Sequence, residues 1–332
     1  MPEAVVTRAH GGGGREMKEL IRDVFLRGLG DVAGAGLDDA ARVEVPAGRL
    51  AVTTDSYVVD PWEFPGGNLG DLAVCGTVND LAMVGARPLY LTAGFVLPEG
   101  FPLRDLERIV AHMARRTREA GVRIVAGDTK VVPDGGPIVN TAGVGVLPEG
   151  REISGSAARP GDAVLLTGEV GRHGIAVLSR REGLGFEADV TSDVAPLSGL
   201  VARMLDAGVE IHALRDPTRG GVAGALNEIA VQSGVEIVLE EDRVPVPRAV
   251  RAACDLLGYD PLEVANEGCA VVIVPAGHAD RALEVLRAHP LGRRAARVGE
   301  VRSGPTRVVA RTELGALRFV DEPAGELLPR IC

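Results

Sequence analysis

Residues 69–84 read LGDLAVCGTVNDLAMV, a stretch with helical patterning in which almost every residue is apolar or small. The polar exceptions are Asp71, Asn79 and Asp80, and Pro88 follows as a residue that ends a helix. A polar pair inside so apolar a helix predicts that Asn79 and Asp80 face a functional site or an interface. The alternative is a buried polar pair whose hydrogen bonds are satisfied within the fold.

Strands and helices alternate irregularly around this helix, which predicts an α+β or α/β domain with helices on one face of a sheet. Gly121 supplies the cap that ends the second long helix. In the first half of the chain, the other predicted elements are helices at Glu16–Leu29 and Leu103–Ala120 and strands at Leu50–Val59, Leu89–Val96, Arg123–Val132 and Ile138–Leu147.

A shift in composition at residues 150–155 predicts a linker between two domains, at 1–152 and 153–320, with a flexible tail at 321–332. The second domain is predicted to be α/β. Its predicted helices lie near His173–Arg181, Pro196–Ala207, Gly220–Ser233, Pro247–Leu257 and Ala279–His289. Its predicted strands are Ala163–Thr167, Glu236–Leu239, Ala270–Val274 and Ala296–Val301.

Composition argues against several classes of protein. The net charge of −10 argues against non-specific nucleic-acid binding. No stretch approaches about 18 consecutive apolar residues and no signal-peptide pattern opens the chain, so we expect a cytoplasmic protein without membrane contact. The four cysteines are widely spaced, which indicates neither a zinc ribbon nor a disulfide framework.

A glycine run, Gly11–Gly14, follows His10 and opens onto the first helix. Backbone N–H groups at such a junction can bind an anion such as phosphate, and the alternative is an ordinary loop. Of the 36 basic residues only Lys18 and Lys130 are lysine. A lysine retained in an arginine-rich chain suits a role that needs a compact charge, such as phosphate binding.

Five carboxylates lie beside small or turn-forming residues and lack the cationic partner typical of an exposed helical face. They are Asp38, Asp39, Asp55, Asp80 and Asp128. Carboxylates that converge need cations, and magnesium commonly links a few of them to nucleotide phosphates. Together with the glycine run and Lys130 they predict an ATP site, while the Walker A, kinase and Rossmann motifs are missing from the sequence.

The last residues, Pro329-Arg330-Ile331-Cys332, place a thiol on the terminal carboxylate. The ten residues from Pro323 can extend about 33 Å at about 3.3 Å each, enough to carry the sulfur into a pocket. The alternative is an incidental cysteine. An ATP site for the group carried by Cys332 would give the tether a purpose.

The sequence motifs run from one end of the chain to the other. They are His10–Gly14, Asp38–Ala41, Thr53–Ser56, Val78–Ala82, Gly127–Lys130, Asp216–Gly221, Asn266–Gly268 and Pro329–Cys332. Together they resemble the HypE family, the carbamoyl dehydratases of [NiFe]-hydrogenase maturation. The first five are shared more widely with aminoimidazole ribonucleotide synthetase and selenophosphate synthetase, whereas the final cysteine motif singles out HypE.

The resemblance implies a two-domain PurM-like fold. In it, the N-terminal domains of a homodimer form a barrel-like core, with ATP and Mg²⁺ near the interface. It also implies that Cys332 receives a carbamoyl group from the carbamoyltransferase HypF. ATP would then drive dehydration of the S-carboxamide to an S-cyanide, and the cyanide would pass to iron on a HypC–HypD scaffold.

The resemblance also implies roles for individual residues. The magnesium ligands would be Asp39, Asp55, Asp80 and Asp128, with Asp38 and Asp216 as weaker candidates. The nucleotide would contact Gly11, Gly12, Gly13, Gly14, Asp55, Asn79, Asp80, Asp128, Thr129 and Lys130. Catalysis would use Cys332, Lys130 and a base, for which Glu267 is the first candidate and His212 the second. Arg215 and Arg219 would neutralise phosphate or the tail carboxylate.

This chain departs from the family pattern at two places. Its glycine loop lacks the small residue, such as serine, that the family often carries, and Asn68 replaces a frequent aspartate, so we assign no metal to position 68.

Two other activities stay open. A kinase or synthetase like selenophosphate synthetase would need a reactive cysteine where this chain has His10, and a non-catalytic carrier would need no ATP. A redox role for Cys332 lacks a resolving cysteine.

Overall fold

The structure, a computed structural model, describes residues 4–12, 14–34, 40–150, 152–181 and 189–322. The predicted site residues Gly13, Asp38, Asp39 and Cys332 lie outside the described residues, as does the tail from residue 323 onwards. Within the described ranges, no helix is both long and apolar enough to cross a membrane.

Helix α3 (Leu69–Met83) lies at the centre of the first half and confirms the predicted helix. Asn68 caps it: its Oδ1 accepts a hydrogen bond from Gly70 N at 2.8 Å, and Asp71 accepts one from Asn68 N at 2.9 Å. Every residue of α3 except Asp80 is buried. A helix that is apolar on all sides needs partners on all sides, and α3 contacts a sheet, another helix and the second half of the chain.

The other predicted elements of the first half are present in the predicted order, and two short strands that were not predicted, Glu63–Phe64 and Gly67–Asn68, add to them. A π-helical segment, Ile21–Leu26, joins α1 to α2, so the predicted first helix is continuous. The elements are α1 (Arg15–Leu20), α2 (Arg27–Leu29), β1 (Arg49–Tyr57), β2 (Glu63–Phe64), β3 (Gly67–Asn68), β4 (Arg87–Pro98), α4 (Leu103–Ala120), β5 (Arg123–Val132) and β6 (Ile138–Leu147).

Four of these strands form the first sheet, in the order β1-β6-β4-β5. Strand β6 is antiparallel to β1 and β4, whereas β4 and β5 are parallel because α4 crosses between them. Helices α3 and α4 cover one face, as predicted. The opposite face leaves Leu50 and Val52 51% and 71% exposed, so it is open in a single chain.

The second half adds three short strands that were not predicted, β8, β12 and β13. Its elements are β7 (Asp162–Leu166), α5 (Arg172–Leu178), α6 (Ser198–Asp206), β8 (Ala213–Arg215), α7 (Gly221–Ser233), β9 (Glu236–Glu240), α8 (Arg248–Leu257), β10 (Val271–Pro275), α9 (Ala279–Arg287), β11 (Ala296–Arg302), β12 (Arg307–Arg311) and β13 (Leu317–Phe319). The exact domain boundaries at 152 and 320 stay predictions.

The second sheet has the order β13-β12-β9-β11-β7-β10-β8. Helix α7 packs on one face, and α6 and α9 pack on the other, each face with its own apolar cluster. Edge strand β8 and helix α6 both contact α3. This contact places the end of the buried helix beside the loop that follows β8.

Candidate functional site

Acidic side chains meet where α3 joins the second sheet. Asp80, the least buried residue of α3, accepts a hydrogen bond from Thr53 Oγ1 at 2.8 Å. Asp55 lies two residues after Thr53 on β1, and alternation along a strand puts both on the face that α3 covers. The first sheet and its central helix therefore supply two carboxylates to the junction.

The second sheet supplies two more acidic residues. Asp216 directly follows β8, and Glu267 lies in the turn that leads into β10. These strands are antiparallel with Arg215 opposite Val271, so the end of β8 and the start of β10 lie at the same end of the sheet. Arg215 forms an ion pair with Glu228 beside this group.

The negative charges of these carboxylates act on one another. Burial raises the pKa of Asp80, and the charge of Asp55 raises it further. Burial and the charge of Asp80 raise the pKa of Asp216 to about 7. Burial, followed by the charge of Asp216, raises the pKa of Glu267 well above its usual range. Each negative charge disfavours ionisation of the neighbouring carboxyl groups. A cation or a bound proton therefore stabilises the group.

Glu267 is 2% exposed, and its buried Oε2 has no hydrogen-bond partner among the described residues. The turn around it is held firmly by Asn266. The Oδ1 atom of Asn266 accepts from Gly171 N at 2.7 Å, and its Nδ2 donates to Pro217 O at 3.0 Å. An unpartnered carboxyl oxygen on a fixed turn has the properties of a group that exchanges a proton with a ligand.

The glycine loop and the retained lysine lie together at the other edge of the first sheet. Gly11 approaches β5 so closely that a Cβ atom there would be 2.7 Å from Val131 N. Lys130 Nζ lies 2.9 Å from Asp128 Oδ1, both side chains are exposed, and this hydrogen bond lowers the pKa of Asp128. Gly14 caps the start of α1. Gly11 and Lys130 thus lie beside the same edge strand.

The predicted convergence of all the acidic motifs is wrong for Asp128 within one chain. Asp128 lies in register with Gly94, Asn140 and Ser56, so its side chain is on the open face rather than the face of Asp55. Three strand-to-strand steps of about 4.8 Å also separate the two edges by about 14 Å. Accordingly, the described residues contain no group of three or more His, Cys, Asp or Glu side chains able to hold a metal ion.

Two predicted nucleotide contacts are buried structural residues instead. Asn79 is 1% exposed, and its side chain accepts from Leu197 N at 2.7 Å and donates to Ala195 O at 3.2 Å. Thr129 is 3% exposed, because alternation along β5 turns it towards the helices while Asp128 and Lys130 face outwards. Of the two alternatives for the Asn79-Asp80 pair, Asn79 is a satisfied buried group at an interface and Asp80 faces the site.

The second candidate base, His212, lies away from the acidic group. It precedes β8, three residues before Arg215, which corresponds to about 10 Å along a strand. Its Nδ1 is 2.7 Å from Asp162 Oδ2 and its Nε2 is 3.1 Å from Glu210 Oε1. Both ring nitrogens are therefore engaged at the opposite end of the strand.

Sequence reasoning missed two residues that support the site, Thr53 and Asp193. Thr53 stands in a quoted motif, and strand alternation with Asp55 could have placed it against α3. Asp193 accepts a hydrogen bond from Gly268 N at 2.9 Å. It lies in irregular structure ahead of α6, so no local pattern indicates it.

Comparison with known proteins agrees with the motifs. The AIR synthase related protein N-terminal and C-terminal domain families match residues 37–147 and 159–311. A protein of Azotobacter vinelandii named carbamoyl dehydratase HypE is 55% identical over 331 residues, covering 98% of this chain and 97% of that protein.

Solved structures agree over the same length. The crystal structure of hydrogenase maturation protein HypE in complex with ATP has a TM-score of 0.93 and 49% identity, covering 98% of this chain and 99% of that one. A HypE–HypF complex contains a chain with a TM-score of 0.80 and 46% identity, covering 93% of this chain and all of that one (100%). These similarities confirm the fold of two PurM-like domains, and the chain belongs to the HypE carbamoyl dehydratase family.

Proposed function

We propose that this chain converts an S-carboxamide on Cys332 into an S-cyanide, with cleavage of ATP to ADP and phosphate. The observation that carries the proposal is the buried Glu267 carboxyl, with Oε2 unpartnered, among acidic residues from both sheets. Two similarities support it: relatives are named carbamoyl dehydratases, and a HypE crystal structure contains ATP.

The reaction is a dehydration in which oxygen leaves as phosphate. The amide oxygen is a poor leaving group until it attacks the γ-phosphorus, which breaks the bond to ADP. Loss of one N–H proton gives an imidoyl phosphate. Loss of the second N–H proton forms the C≡N bond as the C–O bond breaks and phosphate departs. The sulfur–carbon bond persists, and the reaction needs no outside oxidant or reductant.

Glu267 is the proposed base for the N–H protons. An efficient base has a pKa near the working pH, and an ordinary glutamate is too weak for this task at neutral pH. Burial and the neighbouring carboxylates raise the pKa of Glu267 and so strengthen it as a proton acceptor. His212 is not retained as an alternative, because both of its ring nitrogens contact carboxylates elsewhere.

Phosphate binding is proposed for Lys130 and the glycine loop, which share one edge of the first sheet. The junction carboxylates fit Mg²⁺, because their mutual repulsion is what a divalent cation relieves. Asp55 and Asp80 would supply protein ligands, with Asp39 as a further candidate from the sequence, and the nucleotide phosphates would complete the site, because the described residues offer no group of three that could hold the ion. Bound there, Mg²⁺ would neutralise charge on the phosphates during transfer. Asp128 does not belong to this set within one chain.

A homodimer is proposed because the open face of the first sheet exposes apolar side chains, Leu50 at 51% and Val52 at 71%. The two edges of that sheet also carry different parts of the proposed site. The proposed partners are HypF as carbamoyl donor, supported by the HypE–HypF complex of a relative, and HypC–HypD as cyanide acceptor. A cytoplasmic location stays a prediction from the sequence.

Intact mass spectrometry tests the proposal. Cys332 should gain the mass of a carbamoyl group when the chain is incubated with a HypF transferase and carbamoyl phosphate. After removal of these reagents, ATP and magnesium should remove the mass of one water. The Cys332→Ala variant should stay unchanged throughout. Loss of water without ATP would contradict the mechanism, and loading without any loss of water would support the carrier alternative.

A further inference from the structure

The segment 192–197, here called the strap, runs between the two sheets and is anchored at both ends. Ser192 N donates to Pro65 O at 2.8 Å, and Arg116 Nη2 donates to Val194 O at 2.8 Å. At its far end, Leu197 N donates to the Oδ1 atom of Asn79. These contacts fix the path of the strap without any contribution from the side chain of Asp193.

The strap interlocks with the turn that carries Glu267. Both carboxylate oxygens of Asp193 lie 3.3 Å from Glu267 N, and Oδ2 accepts from Gly268 N at 2.9 Å. In return, Ala195 N donates to Glu267 O at 3.2 Å. A Cβ atom at position 268 would lie 1.7 Å from Asp193 O, so only glycine permits this approach.

We propose that Asp193 is the positioning residue for Glu267. It holds the two peptide N–H groups of the turn and so directs the Glu267 carboxyl to the place where it exchanges protons. This inference rests on the proposed function of Glu267 as the base. Asp193 itself is not proposed to contact the substrate.

The choice of a carboxylate at position 193 has a physical reason. An anion accepts hydrogen bonds from backbone N–H groups more strongly than a neutral amide does, so the turn is held more rigidly. Asp193 also adds a negative charge next to Glu267, in the same sense as Asp216, Asp55 and Asp80. Burial raises the pKa of Asp193, whereas the N–H groups of Glu267 and Gly268 and the charge of Arg172 on α5 favour its ionised form.

The test compares Asp193→Asn and Asp193→Ala with Thr191→Val. Thr191 is an exposed neighbour in the chain whose Oγ1 accepts from Arg172 Nη2, and within the described part of the chain its side chain makes no hydrogen bond to the Glu267 turn. The assay is single-turnover loss of water from carbamoylated Cys332 after addition of ATP and magnesium. Carbamoyl loading, the KM for ATP and the thermal midpoint are measured on the same preparations.

Asp193→Ala should slow dehydration about 100-fold, the effect of misplacing a catalytic group by about 1 Å. Asp193→Asn keeps an acceptor oxygen and should lose only about tenfold, the difference between a charged and a neutral acceptor. Loading and the KM for ATP should change less than about twofold in both variants, and Thr191→Val should match the wild type. A loss confined to the chemical step separates positioning from general damage.

Three outcomes overturn the inference. They are a wild-type rate in Asp193→Ala, a loss of rate matched by equal losses in loading or ATP affinity, and a wild-type rate in Glu267→Gln when Asp193→Ala is slow. If Asp193→Ala does not fold, Asp193→Asn decides by the same criteria. If the wild type loses no water with ATP, the proposed function fails instead, so the two failures are distinguishable.

Discussion

Replacing Asn79 with alanine removes the side chain that ties α3 to the strap. Its Oδ1 accepts from Leu197 N at 2.7 Å, and its Nδ2 lies 3.2 Å from Ala195 O and 3.5 Å from Glu267 O. Asn79 is 1% exposed, so water cannot take over these bonds unless the junction opens. Asn79 also neighbours Asp80, and one amide therefore links the helix of one site residue to the turn of another.

The expected magnitude follows from the groups left without partners. Leu197 N loses its acceptor and Ala195 O loses a donor, while Glu267 O keeps its bond from Ala195 N. A buried polar group without a partner costs about 1–3 kcal/mol, which gives about 2–6 kcal/mol for the two. At about 2.1 cal/mol/K for each residue, a chain of 332 residues shifts by about 1.4 °C for each kcal/mol, so the thermal midpoint should fall by about 3–9 °C.

Differential scanning calorimetry of Asn79→Ala, Asn79→Asp and wild type checks this value. Asn79→Asp keeps the acceptor for Leu197 N but turns a carboxylate towards two carbonyl oxygens, so it should be at least as unstable as Asn79→Ala. Val231→Ala, at a site 69% exposed on α7, is the control and should change stability by less than about 0.5 kcal/mol. A wild-type midpoint for Asn79→Ala would show that this interdomain contact does not stabilise the fold.

Other predictions concern ATP and pH. Asp80→Asn and Lys130→Ala should each abolish ATP turnover, measured as phosphate release, while carbamoyl loading of Cys332 stays largely intact. Lys18→Ala, the other lysine and an exposed one, is the control, and full dehydration by either site variant would remove that residue from the site. For Asp71, burial opposes ionisation, but His112 and Arg116 outweigh it and lower its pKa from 3.8 to about 2. A lowered folded-state pKa stabilises the fold at neutral pH by about 2 kcal/mol, and this stability is lost as the pH falls from about 5 towards 2. In urea titrations, the difference between wild type and Asp71→Asn should therefore shrink over this range, and a constant difference would contradict the linkage.

Local patterns were sufficient for much of the fold. The limits of Leu103–Ala120, Arg123–Val132 and Ile138–Leu147 agree with the structure, because helical periodicity, β-branched runs and a glycine cap act over a few residues. Strands β2, β3, β8, β12 and β13 were missed. They are two to five residues long. β12 is defined by parallel pairing with β9, about seventy residues earlier in the chain, so no short window contains its signal.

The motifs likewise indicated the chemistry but not its arrangement. The sequence alone determined the kinds of group present: a glycine loop, Lys130 as one of only two lysines, the acidic motifs, and the C-terminal cysteine motif that singles out the family. Tertiary structure decided which of them meet. The strand order β1-β6-β4-β5 and the register of each pair place Asp55 with Asp80, and place Asp128 on the other face and the other edge. It also made Asn79 a contact between domains and brought Asp193 to the turn of Glu267. The physical reason is that side-chain type is local, whereas convergence depends on hydrogen bonds between strands and on packing between residues far apart in sequence.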